Sequence, residues 1–150
     1  MRDVIEIEPN TGFILKTSRL NIVLSTLQVE DQGEDQNEII KFEARTNDMG
    51  EYVGHAMLKI SKECFGKVGE LTYELEPNFR GQCFATEMLR SVIAYTYAER
   101  ELVSLYGLAP DRNLAAQYVL QRIGFALNEE LDGFIRYVAW NPIFQTTQEA

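Results

Sequence analysis

Apolar and polar residues alternate with a period of two through much of the first half of the chain. Residues 20–29, LNIVLSTLQV, are apolar and β-branched, which predicts a strand. Residues 38–45 and 51–60 repeat the strand pattern. Residues 70–76 give a further strand, with Leu71, Tyr73 and Leu75 on one face and Glu70, Glu74 and Glu76 on the other. The spacers are polar: 30–37 is acidic and reads as a loop, 47–50 as a turn and 62–69 as a connection. Together these make an antiparallel meander. Residues 1–16 read as a mobile or weakly ordered arm with a short strand at 13–15.

The period changes after Pro77. Phe84, Met88, Leu89, Val92, Ile93 and Tyr97 fall close to helical spacing and predict a helix over 83–100. A short apolar strand at 102–108 follows. Residues 110–113 punctuate the chain, with Asp111 as the expected cap of a helix over 115–123. Gly124 stands where a helix stop is expected. Residues 125–127 and 134–140 flank Asp132-Gly133 and read as a hairpin. The order β-β-β-β-α-β-α-β-β predicts an α/β (α+β) fold, a mixed sheet flanked by helices. The organisation is an arm at 1–16, one domain over 17–140 and a polar tail at 141–150.

Composition narrows the function. A chain of 150 residues, 45% hydrophobic and 25% charged, has the make-up of one ordinary globular domain. No apolar run approaches the roughly 18–20 residues that cross a bilayer, so no membrane partner is expected. Acids at positions 3, 6 and 8 stand where a signal peptide would be apolar, and the expectation is a cytoplasmic protein. The net charge of −9 opposes nonspecific nucleic-acid binding, which needs Lys and Arg against phosphates, and is compatible with a cationic substrate. Cys64, Cys83 and the lone His55 offer no metal spacing, no disulfide framework and no nucleophile elbow. No metal is expected, and His55 reads as structural.

One segment carries candidate chemistry. The strand ending at Pro77 leads through Arg80-Gly-Gln-Cys-Phe-Ala85 into the first helix. The first N–H groups of a helix lack intrahelical partners and the peptide dipoles add, so a helix start attracts anions. Arg80 adds a fixed positive charge. The loop lacks both the Lys-Ser/Thr of a P-loop and the Gly-x-Gly-x-x-Gly of a dinucleotide fold. Alone, it is also what any glycine turn before a helix looks like.

The order of elements with this loop resembles the GCN5-related N-acetyltransferases (GNAT), in particular the branch acting on ribosomal proteins and small amines. The resemblance rests on Thr17-Ser-Arg-Leu20, on Tyr73-Glu-Leu-Glu-Pro77 with Arg80-Gly-Gln-Cys-Phe-Ala-Thr-Glu87, and on Asn113 with Gly124-Phe125; it spans about residues 17–140. It implies a GNAT fold whose fourth and fifth strands splay apart, with the early helices shortened to the polar stretch 30–37. It implies acetyl-CoA as co-substrate, with the pantetheine arm on the backbone from Tyr73 to Leu75. The pyrophosphate would lie on Gly81, Gln82, Cys83, Phe84, Ala85 and Thr86 beside Arg80. Asn113 would lie near the pantetheine, or serve only to start its helix. The implied reaction moves an acetyl group directly to a primary amine of a small molecule or peptide.

Three departures from the family pattern stand out. Cys83 occupies a glycine position, where its Cβ either crowds the pyrophosphate or is tolerated if φ stays negative. Leu120 and Ala116 occupy the two positions where the family places a Tyr or Ser that protonates the leaving thiolate, and Tyr118 is expected to face elsewhere, about 200° around the helix. The stretch before the second core strand is too short for the usual acceptor-binding helices, which leaves an open site or one completed by another subunit. Glu70 is the first candidate for a base acting through water, with Glu74 beside it; a solvated sheet face is their plainer reading. Glu87 reads as structural, an acid suited to a helix start. The alternative to an enzyme is a non-catalytic acyl-CoA-binding or protein-interaction module. The arm and tail leave a homodimer open.

Overall fold

The structure, a computed structural model, describes residues 3–7, 14–32 and 35–142. Among the described residues nine strands form one mixed sheet: β1 (Asp3–Ile7), β2 (Ile14–Lys16), β3 (Leu20–Gln32), β4 (Asp35–Thr46), β5 (Tyr52–Glu63), β6 (Gly66–Leu75), β7 (Ser104–Pro110), β8 (Ala126–Leu131) and β9 (Phe134–Trp140). Their order in space is β1-β3-β4-β5-β6-β7-β9-β8, with β2 also on β3. A short 3₁₀ turn, Pro77–Phe79, precedes helix α1 (Phe84–Arg100), and α2 (Leu114–Arg122) follows β7. Every pairing is antiparallel except β6 with β7, the two strands that α1 connects. A parallel pair needs such a crossover, because a tight turn can only reverse the chain.

From β3 onward the element order is the one the periodicity predicts. Three expectations fail. The arm is not weakly ordered at residues 3–7: β1 pairs with β3 from Asp3↔Asp31 to Ile7↔Leu27. The expected short strand is β2, although Phe13 lies outside the described residues, as do 143–150 of the tail. Of the acidic stretch read as a loop, residues 30–32 and 35–37 are strand. They are paired as Glu30↔Asn37, Asp31↔Gln36 and Gln32↔Asp35. Likewise 62–69 is no open connection, because β5 and β6 stay paired to Glu63↔Gly66. Backbone ladders do not require an apolar face, so polar strands continue where the hydrophobic signal stops.

The core follows from strand alternation. Ile40, Phe42 and Ala44 of β4, Ala56 and Leu58 of β5, and Leu71 and Leu75 of β6 all point to one side. There they meet Met88, Leu89 and Val92 of α1 and Leu120 of α2 in one continuous cluster. Both helices therefore cover the same face. Among the described residues no helix covers the other face, which carries Lys41, Glu43, His55, Lys59, Glu70, Thr72 and Glu74.

Candidate functional site

The sheet opens between β6 and β7. Their pairing covers only Val68↔Ser104, Gly69↔Leu105 and Glu70↔Tyr106. Beyond it, residues 71–75 remain paired to β5 on one side and residues 107–110 to β9 on the other. The facing edges of the two strands share no ladder. Backbone N–H and C=O groups are obligatory hydrogen-bonding groups, so this gap is a strip of backbone donors and acceptors available to a ligand. The cavity there has a volume of about 760 Å³, walled by β6, β7, α2 and the loop before α1.

Close packing keeps α2 against the gap. A Cβ on Gly107 would lie 2.8 Å from Leu120 Cδ2, so any larger residue there would require the buried Leu120 side chain to shift. Asn113 starts the helix, its side-chain carbonyl accepting the Ala116 N–H at 3.0 Å. The cap is thus Asn113 and not Asp111, which lies two residues before the cap. Asn113 also lines the cavity, so the two readings of this residue meet in one place.

The loop before α1 is shaped by two left-handed residues. Gly81 has φ 76° and Cys83 has φ 64°. The condition under which its Cβ is readily tolerated, a negative φ, is not met at Cys83: a non-glycine residue occupies the conformation that glycine favours. The Cys83 thiol is exposed and makes no capping hydrogen bond. Arg80 turns back, its Nε donating to the Leu75 carbonyl at 3.1 Å and tying the loop to the end of β6. From outside, Arg19 clamps the same loop: it donates to Glu87 (2.8 Å) and to the Gln82 carbonyl (3.0 Å), and its guanidinium lies 3.9 Å above the Phe84 ring centre. Partial burial pushes the Glu87 carboxyl up. The bonds it accepts from Thr17, the Arg19 side chain and the Arg19 N–H, with the Arg19 charge, outweigh that and hold it below the ordinary glutamate value. Glu87 is structural, as its position in the first turn suggests.

Most of the sequence-selected residues converge on the cavity. Tyr73, Glu74, Leu75, Arg80, Gly81, Cys83, Phe84, Ala85, Thr86 and Asn113 line it. Gln82 does not; its side chain donates to the Asn78 carbonyl at 3.0 Å. Burial raises the Tyr73 phenol. Leu120, in the position of the family's acid, is 3% exposed and forms part of the wall. Tyr118 does not face away entirely: it lines the rim, its hydroxyl accepting from Arg122 at 3.1 Å.

Glu70 lies outside the cavity lining, at the point where the strands separate. There it accepts a hydrogen bond of 2.8 Å from Tyr106. Burial, then the bond and charge of Glu70, push the Tyr106 phenol up to about 12, so it remains a donor across the neutral range. Sequence reasoning missed Tyr106, which sits in a short apolar strand and meets Glu70 only through the parallel register. On the same open face, Tyr52 OH lies 3.2 Å from His55 Nδ1. Burial, then the charges of Glu43 and Glu76 with a smaller share from Glu74, raise the Tyr52 phenol, which marks a region of negative potential.

The profile of the family described as acetyltransferase (GNAT) domain matches residues 17–126. Among curated proteins none matches this chain in sequence. Solved structures share the fold at low identity. The GNAT-family acetyltransferase from Bacillus anthracis has a TM-score of 0.60 and 16% identity, over 68% of this chain and 66% of that one. The ribosomal-protein α-N-acetyltransferase RimL, in complex with coenzyme A, has a TM-score of 0.58 and 18% identity, over 68% and 62%. The spermidine N-acetyltransferase from Vibrio cholerae, in complex with CoA and spermine, has a TM-score of 0.61 and 15% identity, over 71% and 68%. The chain spans less than two thirds of the length of the first two of these structures.

Proposed function

The chain belongs to the GNAT acetyltransferase family, and from that premise we propose that it transfers the acetyl group of acetyl-CoA to a primary amine. The observation that carries this is the β6–β7 gap with the left-handed loop at its mouth. An extended amide-bearing arm fits a strip of unpaired backbone, and a pyrophosphate fits the N–H groups at the start of α1. The residues present fit the co-substrate. Edge backbone from Leu71 to Leu75 would hold the pantetheine arm, and residues 81–86 the pyrophosphate. Leu120 and Val119 would exclude water from one side. Bound acetyl-CoA supplies an activated thioester.

The remaining task is to deliver a neutral amine. The open sheet face borders the gap, and its carboxylates suit an amine that arrives as a cation. Glu70, fixed by Tyr106, is placed at the strand separation to take the ammonium proton through water; Glu74 lies further along the same face. Holding two reactants together accounts for most of such a rate, up to about 7–11 kcal/mol. A positioned acid or base adds about 10²–10⁴-fold, so Leu120 in the acid position is compatible with turnover. The acceptor class is a small polyamine or the amino end of a peptide, the chemistries on which the similar spermidine and ribosomal-protein enzymes act.

Calorimetric titration with acetyl-CoA, followed by thiol release over amines of increasing positive charge, tests this reading. Saturable binding and release that rises with amine charge are expected. Binding without release from any amine would make the protein a coenzyme-binding module. No binding at millimolar acetyl-CoA would end the proposal.

A further inference from the structure

The cavity between β6 and β7 opens through the sheet. Tyr73 and Leu120 line it from the helix side, and Thr72, Glu74, Leu108 and Pro110 line it from the open face. The mouth on the open face therefore has two lips, and their chemistry differs. The β6 lip is acidic. Glu74 is the one carboxylate in the lining, and the strand register carries the row on through His55 to Glu43. Among the described residues no cation pairs with Glu74.

The β7 lip is apolar. Alternation sends Leu105 and Ala109 into the core and Leu108 and Pro110 to the opposite face. Phe134 of β9 is the register partner of Pro110, so it stands on that same face and extends the lip. Leu108 is 40% and Phe134 45% exposed, within reach of a ligand. Arg136, the register partner of Leu108, is engaged by Glu129 at 3.2 Å on the β8 side. Apolar residues scattered singly on a surface are ordinary. Leu108, Pro110 and Phe134 are not scattered: they form one edge of a mouth whose other edge carries the carboxylate.

We propose that this mouth selects a primary amine bearing an apolar group, aromatic or branched alkyl, close to its nitrogen. The proposal rests on the acetyltransferase reading of the cleft and narrows its acceptor. The ammonium end is drawn to the Glu74 lip, and the apolar group lies against Leu108, Pro110 and Phe134. A hydroxyl or a second ammonium set against that lip would lose water without gaining a partner. The same chemistry has two sources: a free arylalkyl or branched alkyl amine, and a peptide whose first residue carries such a side chain.

Thiol release at saturating acetyl-CoA, on pairs of acceptors with one positive charge each, tests this. Phenethylamine is compared with ethanolamine, and a C-terminally amidated tripeptide beginning with Phe with one beginning with Ser. The apolar member of at least one pair is expected to have the higher kcat/KM by about tenfold, the low end of what an apolar pocket achieves per methylene-sized group. The pair that shows the preference identifies its source. Leu108→Ser and Phe134→Ala, both at exposed positions, should each shrink that ratio severalfold, with thermal melts to confirm folding. Leu108→Glu should turn the preference toward ethylenediamine, an outcome that misfolding does not produce. Turnover with equal kcat/KM within both pairs, or faster turnover of the polar members, would overturn the proposal and leave the acetyltransferase reading standing. A ratio that survives both Leu108→Ser and Phe134→Ala would do the same. Acetyl-CoA binding without release from any acceptor would overturn the acetyltransferase reading and this proposal with it.

Discussion

Replacing Cys83 by glycine should stabilise the protein, against the usual direction of a glycine substitution. Cys83 holds φ 64° and ψ 16°, a conformation that costs an L-residue roughly 1–2 kcal/mol. Glycine adopts it freely, at a cost of about 0.4–1 kcal/mol from the greater freedom of the unfolded chain. The cysteine side chain contributes little to offset this, since it is exposed and caps nothing. The backbone bond from the Glu87 N–H to the Cys83 carbonyl, 3.1 Å, is kept. The net gain is about 0.5–1 kcal/mol, which in a chain of this size raises the melting temperature by about 1–4 °C. Thermal denaturation followed by circular dichroism reads the shift directly. Cys83→Ala retains the Cβ and should stay near the wild type, while Cys83→Val, with branching at that carbon, should melt several degrees lower. A Cys83→Gly protein that melts below both the wild type and Cys83→Ala would refute the reasoning, because the left-handed strain would then contribute nothing.

Three further outcomes are expected. Gly107→Ala forces a methyl to within 2.8 Å of Leu120 Cδ2; overpacking of this kind costs about 1–3 kcal/mol. It should weaken acetyl-CoA binding in titration, with Leu120→Ala in the same chain restoring part of the loss. Glu87 is held below its ordinary value of 4.5 in the fold, so its contribution is complete above the unfolded value and is lost as pH falls through the folded one. Urea midpoints should therefore show Glu87→Gln clearly less stable than the wild type at pH 6, with the gap closing below about pH 4.5. Glu70→Gln should lower kcat/KM for the best amine by about 10²-fold with acetyl-CoA affinity unchanged; an unaltered rate would remove Glu70 from the proton path.

How far the sequence could be read depended on the range of the interactions involved. Alternation along β4, β5 and β6 and the helical spacing of Phe84, Met88 and Val92 are local signals, and they located the core. The loop from Arg80 to Thr86 was legible for the same reason. The strand ends at residues 30–32 and 35–37 were not, because polar strands have no apolar face for a period to report and their ladder is made by backbone. The handedness of Cys83 escaped because side-chain identity argued against a conformation that the surrounding chain imposes. Asp111 was preferred as the cap, with Asn113 kept only as an alternative helix start, because either residue type caps a helix and only the folded turn decides which carbonyl meets the Ala116 N–H. Tyr106 was invisible because its partner Glu70 lies 36 positions earlier and reaches it only after the crossover.

The three-pair junction between β6 and β7 also has a mechanical meaning. It is the only ladder joining the described strands before α1 to those after it. Two stiff plates are thus fastened along a short seam at one end, with α1 and α2 as braces on one side. The softest motion open to such a body is a change in the angle between the plates, which widens or narrows the gap. A ligand bonded to both edges would act as a splint, replacing the missing ladder. Its binding would then be recorded as slowed amide exchange on both plates, well beyond the atoms it touches.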